Sequence, residues 1–236
     1  MRIYNINTHL HKISGPKAVK YRILLYFCSQ NDNKDMTQRI LEFLIDLDKF
    51  LTVLFNFNGG AIQDSTWYAF SSKFIWVPVA ILFLIHIFHK PKLWKEALIV
   101  VLALALVITL CDQISSSIMK PYFTRLRPSH TPGVENLLHY VNGYRGGSYG
   151  FASSHAANAF GAVTFTSLLL RNKIATITQY IFALFVCYSR IYLGVHFVGD
   201  ILAGAVLGIA IGYIVYSLLP KRCHSCFVLP HFKINK

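Results

Sequence analysis

Apolar residues in this chain are gathered into long runs; they do not recur at the helical or strand spacing of a soluble domain. Five runs approach the roughly 20 residues needed to cross hydrocarbon: 74–89, 97–119, 151–170, 174–188 and 198–219. The first is short and carries Trp76 near its start, where an indole anchors at the membrane–water boundary. An earlier stretch, 40–57, is apolar but interrupted by Glu42, Asp46, Asp48 and Lys49. Such charge is expensive in hydrocarbon, so this stretch reads as an amphipathic helix lying in the outer interface. The expected fold is therefore all-α, a polytopic membrane helix bundle of about five transmembrane helices plus an N-terminal interfacial helix.

The flanks differ in character. Residues 1–35 are polar and basic, with Lys12, Lys17, Lys20, Arg22 and Lys34, and their apolar stretch around 23–28 is too short for a signal peptide. They read as an N-terminal extension, Met36 being an alternative start. Residues 36–220 form the membrane domain and 221–236 a basic cytosolic tail.

Composition strengthens the membrane reading. The chain is 54% hydrophobic and 14% charged, against about 25% charged in soluble domains. Its net charge of +13 falls in clusters between the apolar runs: Lys90, Lys92 and Lys95; Arg171 and Lys173; Lys221, Arg222, Lys233 and Lys236. All three clusters lie on one side, which the positive-inside rule makes cytosolic, so the charge implies no nucleic-acid partner. The long stretch 120–150 then faces outward. Five cysteines, two of them inside apolar runs, imply no disulfide framework. The tail's lone Cys223-x-x-Cys226 lacks the four ligands of a structural zinc site. Gly204, Gly208 and Gly212 recur every four residues in the last run, a stripe that lets two helices approach closely.

Three clusters place strongly polar residues at the outer helix ends, where charge at membrane depth points to function. The first is Lys120 to Pro128, with Pro121 expected to stop the helix. Asp112, Ser116 and Lys120 share a helix face that lines a polar cavity. Lys120 and Arg127 can clamp a phosphate, unless they only snorkel to the headgroups. The second is Tyr149 to His155. Ser153 caps the next helix, whose free N–H groups form an anion site, and His155 stands ready to donate a proton. The third is Ser189 to Asp200. His196 and Asp200 are four apart, so the carboxylate can fix the imidazole tautomer and leave the other nitrogen as base or nucleophile. Arg190 adds a phosphate donor. Together they form a constellation for phosphoryl transfer without a metal.

The pattern Lys120-x6-Arg127-Pro128, then Ser153-Ser154-His155, then Ser189-Arg190-x5-His196-x3-Asp200 resembles the signature of the type 2 phosphatidic acid phosphatase superfamily. The first and third motifs are intact. In the second, Ala152 stands for the family's Pro and Ser154 for its Gly. The resemblance implies that His196 attacks phosphorus and Asp200 orients it. His155 would protonate the leaving oxygen and then activate water. Lys120, Arg127, Arg190, Ser153 and Ser154 would bind the phosphoryl group, with no cofactor or metal. It also implies a lipid phosphate substrate, a bacterial inner-membrane location, a periplasmic site and no obligate protein partner. Candidate lipids are lipid A, undecaprenyl diphosphate and phosphatidylglycerol phosphate. The loop 142–151 with the following Ser153-Ser154-His155-Ala156-Ala157-Asn158 resembles that of small bacterial enzymes that include lipid A phosphatases, which favours lipid A. Arg125, His130, His139 and Arg145 are either further headgroup contacts or solvated loop residues. A degenerate lipid-binding protein and a transporter are the alternatives from other classes.

Overall fold

The structure, a computed structural model, describes residues 35–229, so the extension before Asp35 and the last seven residues of the tail lie outside the described residues. Helices make up its regular structure, and no strand occurs among the described residues. The helices are α1 (Met36–Phe55), α2 (Gly60–Ser71), α3 (Trp76–Phe88), α4 (Trp94–Gln113), α5 (Lys120–Phe123), α6 (Ser154–Leu170), α7 (Lys173–Tyr192), α8 (Val198–Ser217) and α9 (Cys223–Cys226).

Each of the five apolar runs is helical. By length and composition three helical segments can cross a membrane, namely Pro91–Phe123, Lys173–Tyr192 and Val198–Ser217. A fourth is added if the pair α2 and α3, bent by 74°, crosses as one broken span. The fifth run is α6, 17 residues long, or about 26 Å at 1.5 Å per residue. It is the centre of the bundle, packed between α4, α7 and α8. Large apolar side chains on the opposite faces are exposed: Leu82 and Ile85 on α3, Leu102 and Leu106 on α4, Ile177 and Leu184 on α7, Leu202 and Val206 on α8. An apolar exterior around a packed interior is what a lipid solvent requires.

Backbone proximity holds α8 to α6. A Cβ placed on Gly204, Gly208 or Gly212 would stand 2.4 Å from the Ser153 carbonyl, 2.3 Å from that of Ala157 and 2.5 Å from that of Gly161. The glycine stripe thus lets one helix lie along the carbonyls of the other, starting from the cap of α6.

One expectation changes, and two features were not anticipated. Pro121 does not end its helix at Lys120. The chain passes through a π-helical turn, Ile114–Met119, where the Lys120 N–H donates to the Ser115 carbonyl. Pro121 then opens a further turn, where its missing N–H costs no helical bond, and the helix leaves at Thr124 with φ 46°. Ahead of the first apolar run stands α2, which periodicity did not single out. Finally, the start of the tail folds back onto the bundle. Cys223 and Phe227 are buried, and the Leu229 N–H donates to the Leu170 carbonyl at 2.9 Å.

Candidate active site

All three polar clusters collect at one end of the bundle, where α5 ends, α6 begins, and α7 turns into α8. The long loop from Thr124 returns across that end through a short pairing. The Arg127 N–H donates to the Ser148 carbonyl at 3.0 Å and the Gly150 N–H to the Arg125 carbonyl at 2.9 Å. This pairing carries Arg127 to the cap of α6. There Ser153 Oγ lies 3.5 Å from the Ala156 N–H, and the Ser153 N–H donates to the Asp200 carbonyl at 3.0 Å. The start of α6 is thereby fixed to the start of α8.

His196 sits in the turn between α7 and α8, 1% exposed. Gly194, with φ 68°, makes the turn. The His196 Nδ1 is 3.5 Å from Asp200 Oδ2 and has no closer partner. That separation falls short of a formed hydrogen bond. Burial, and then the positive charges of Arg127, Arg190 and Lys120, hold its pKa well below the ordinary imidazole value of 6.5. This favours the neutral ring.

Asp200 is fully buried in the first turn of α8. Its Oδ2 accepts from the Phe197 N–H at 3.0 Å, and its Oδ1 accepts from Arg125 Nη1 at 2.8 Å. His155, in the first turn of α6, faces the Ser71 carbonyl at the end of α2.

Three cations surround the imidazoles. Lys120 Nζ donates to Ser154 Oγ at 2.7 Å and to Ser116 Oγ at 3.3 Å. Arg127 Nε donates to the Tyr149 carbonyl at 3.0 Å. Arg190 is held by Ser71 Oγ and by Tyr144 Oη, the latter at 3.4 Å, while its Nε has no partner. Among the described residues no carboxylate lies within ion-pair distance of any of the three. Burial and the neighbouring Arg190 depress the Arg127 guanidinium below its usual value. Tyr144 is pushed up by burial, but its bond and proximity to Arg190 outweigh this and lower its pKa overall. Unneutralised positive charge pressed together in a buried site favours an anion there.

Every candidate residue is therefore found at one end: Lys120, Arg127, Ser153, Ser154, His155, Arg190, His196 and Asp200. Of the expected helix face, Ser116 and Lys120 meet around Ser154, so the residue at the family's Gly position is a partner of the lysine. The groove of about 590 Å³ nearby is lined by Leu44, Leu51, Leu126, Phe197 and Leu202. Neither His155 nor His196 lines it, so it is not the phosphate site. The loop residues proposed for headgroups already have partners. Arg125 pairs with Asp48 at 2.6 Å and with Asp200 at 2.8 Å. His139 Nε2 is 3.0 Å from Asp64, Arg145 lies over the Tyr140 ring, and His130 meets Ser129. Sequence reasoning missed Ser71, Tyr144 and Asp48. The only signal available was a carboxylate interrupting an apolar run at Asp48.

Comparison with known proteins gives a concordant result. Residues 96–223 match the model of the PAP2 superfamily. The chain is 42% identical over 178 residues to a protein of Porphyromonas gingivalis named lipid A 4'-phosphatase, covering 75% of each chain. It is 41% identical over 183 residues to one of the same name from Bacteroides thetaiotaomicron, covering 77% of this chain and 81% of that one. Its fold is similar to the crystal structure of a transmembrane PAP2 type phosphatidylglycerolphosphate phosphatase from Bacillus subtilis. There the TM-score is 0.55 at 20% identity, over 87% of this chain and 96% of the other.

Proposed function

The chain belongs to the PAP2 superfamily as a multi-pass membrane lipid phosphatase, and on that premise we propose that it removes the 4'-phosphate of lipid A. The proposed setting is the periplasmic face of a bacterial inner membrane, and the proposed intermediate is a phosphohistidine on His196. One observation carries the site reading: two buried arginines and a half-buried lysine, none of them paired with a carboxylate among the described residues, surround the buried imidazole of His196.

In this reading the Nδ1 proton of His196 faces Asp200, which leaves the Nε2 lone pair free to attack phosphorus. Lys120, Arg127 and Arg190 hold the phosphoryl oxygens, and their excess charge stabilises the charge that develops in the transition state. The start of α6, capped by Ser153, adds N–H groups. Ser154 orients the Lys120 ammonium. Once the bound phosphate offsets the surrounding cations, His155 is protonated, and as the phosphorus–oxygen bond breaks it gives that proton to the departing sugar oxygen. It then takes a proton from water, which attacks the phosphohistidine, releases inorganic phosphate and restores the neutral His196. The relatives' names support lipid A as substrate, and so does the position of the site at the end of the helices, which leaves acyl chains in the bilayer.

The test is purified protein in mixed micelles with lipid A, followed by mass spectrometry. We expect loss of one phosphate, from the 4' position, and a phosphoenzyme trapped on His196. His196→Ala should lower kcat by about a thousandfold or more, as removal of a nucleophile does. Unchanged lipid A alongside rapid release from phosphatidylglycerol phosphate or undecaprenyl diphosphate would refute the substrate; an active His196→Ala would refute the mechanism.

A further inference from the structure

Asp200 is the only carboxylate facing His196 among the described residues, and a guanidinium occupies its other oxygen. Arg125 Nη1 donates to Asp200 Oδ1 at 2.8 Å while Nη2 donates to Asp48 Oδ2 at 2.6 Å. The guanidinium also lies over the Phe197 ring, 4.5 Å from its centroid. Asp48 comes from α1, and its second oxygen accepts from the Gly199 N–H at 2.8 Å. The chain of contacts therefore runs from α1 through Arg125 to Asp200 and on to the imidazole. Both carboxylates are well shielded, with side-chain exposures of 15% for Asp48 and 0% for Asp200.

We propose that Arg125 and Asp48 are positioning residues for the His196–Asp200 pair, so that the N-terminal helix is part of the catalytic apparatus. This rests on the reading of His196 as nucleophile. Asp200 Oδ2 must present itself to Nδ1; the Phe197 N–H holds that oxygen at 3.0 Å, and a second contact on the other oxygen is needed to fix the plane of the carboxylate. Arg125 holds it from the far side, as outer partners hold a ligating or catalytic group in place. Arg125 in turn needs a counter-ion, or it would draw Asp200 away from the imidazole. Asp48 supplies that charge and fixes the fork's plane, because a guanidinium binds two carboxylates only with both ends placed. Substrate contact is not required of either residue, which separates them from Lys120, Arg127 and Arg190.

The experiment measures kcat and KM on lipid A in micelles for Arg125→Gln, Arg125→Lys, Asp48→Asn and the double variant Arg125→Gln with Asp48→Asn. Detergent size-exclusion profiles check that each variant is folded. For Arg125→Gln we expect kcat lowered about 10- to 100-fold with KM within about twofold of wild type, the range that loss of an outer partner gives. Arg125→Lys, which keeps the charge but reaches one carboxylate, should recover part of kcat. Asp48→Asn should lower kcat less, and the double variant should be no slower than Arg125→Gln alone, because both act through one contact. Additive losses, or unchanged kcat with raised KM, would overturn the proposal, the latter by making Arg125 a headgroup ligand. If Arg125→Gln does not fold, Asp48→Asn alone decides: kcat equal to wild type overturns it. Failure of the underlying reading looks different, since wild type would then be inactive or His196→Ala active.

Discussion

At the scale of single residues, the charge on His196 decides whether the site works. A depressed pKa means that the imidazole takes up its proton only at lower pH, so the attacking lone pair is available from there upward. Activity that depends on neutral His196 is then lost as pH falls through the depressed value and not through 6.5, the ordinary one. Measured as kcat/KM and corrected for the substrate's own phosphate ionisation, the rate should show no step near pH 6.5 from this residue. An acid limb centred at or above 6.5 would mean that the cations do not act on it as described. Much of this site was legible beforehand because motif spacing fixes which residues lie at helix ends. His196 and Asp200, four apart, could be expected to face each other, and they do so across the N-cap of α8, with His196 in the turn just before the helix. The partners of Arg190 were not legible. Ser71 lies 119 positions away, and its arrival depends on a bend in a helix pair that no local pattern marks. Arg125 was misread for a related reason: an arginine in an exposed loop and one folded between two carboxylates have the same sequence signature.

Between elements, the decisive contact is the crossing of α6 and α8, and its glycines have unequal duties. Gly204 lies against the Ser153 carbonyl, at the cap that carries the candidate anion site, whereas Gly212 lies against Gly161, further into the bundle. A methyl at either position must push the helices apart, an overpacking cost of about 1–3 kcal/mol. Only the first push also moves Ser153 and His155 relative to Asp200. We therefore expect Gly204→Ala and Gly212→Ala to lower the detergent melting temperature similarly. Gly204→Ala should cut kcat about tenfold or more, as displacement of catalytic groups by a fraction of an ångström does, and Gly212→Ala less than about twofold. Val206, 68% exposed on the lipid-facing side of the same helix, serves as control: Val206→Leu should change neither. Equal kinetic losses at both glycines would show that the crossing does not position the site. The stripe itself was readable from its four-residue spacing, while the partner helix was not. Nothing in the sequence of α6 marks which of its faces receives the glycines, because small residues occur all around it. The π-helical turn before Lys120 was equally hidden, since it alters hydrogen-bond register without altering composition.

For the whole molecule the consequence is directional. The basic clusters at Lys90, Lys92 and Lys95, at Arg171 and Lys173, and at Lys221 and Arg222 all fall at the end of the bundle away from His155 and His196. Positive loops are retained in the cytosol, so the end that carries the phosphate cations should open to the periplasm. There a lipid can keep its acyl chains in the membrane while its phosphate reaches Lys120. The opposite orientation would place the site where only inner-leaflet lipids can reach it, so topology and substrate stand or fall together. Cysteine labelling separates the two. In a background with the native cysteines replaced, Asn142→Cys, in the long loop beside the site, should react with a membrane-impermeant maleimide in cells whose outer membrane alone is opened. Ser225→Cys, in the segment that folds back at the other end, should react only after the inner membrane is broken. Labelling of the second position in spheroplasts, with protection of the first, would invert the orientation. It would also remove lipid A of the outer leaflet from the substrates this site can meet.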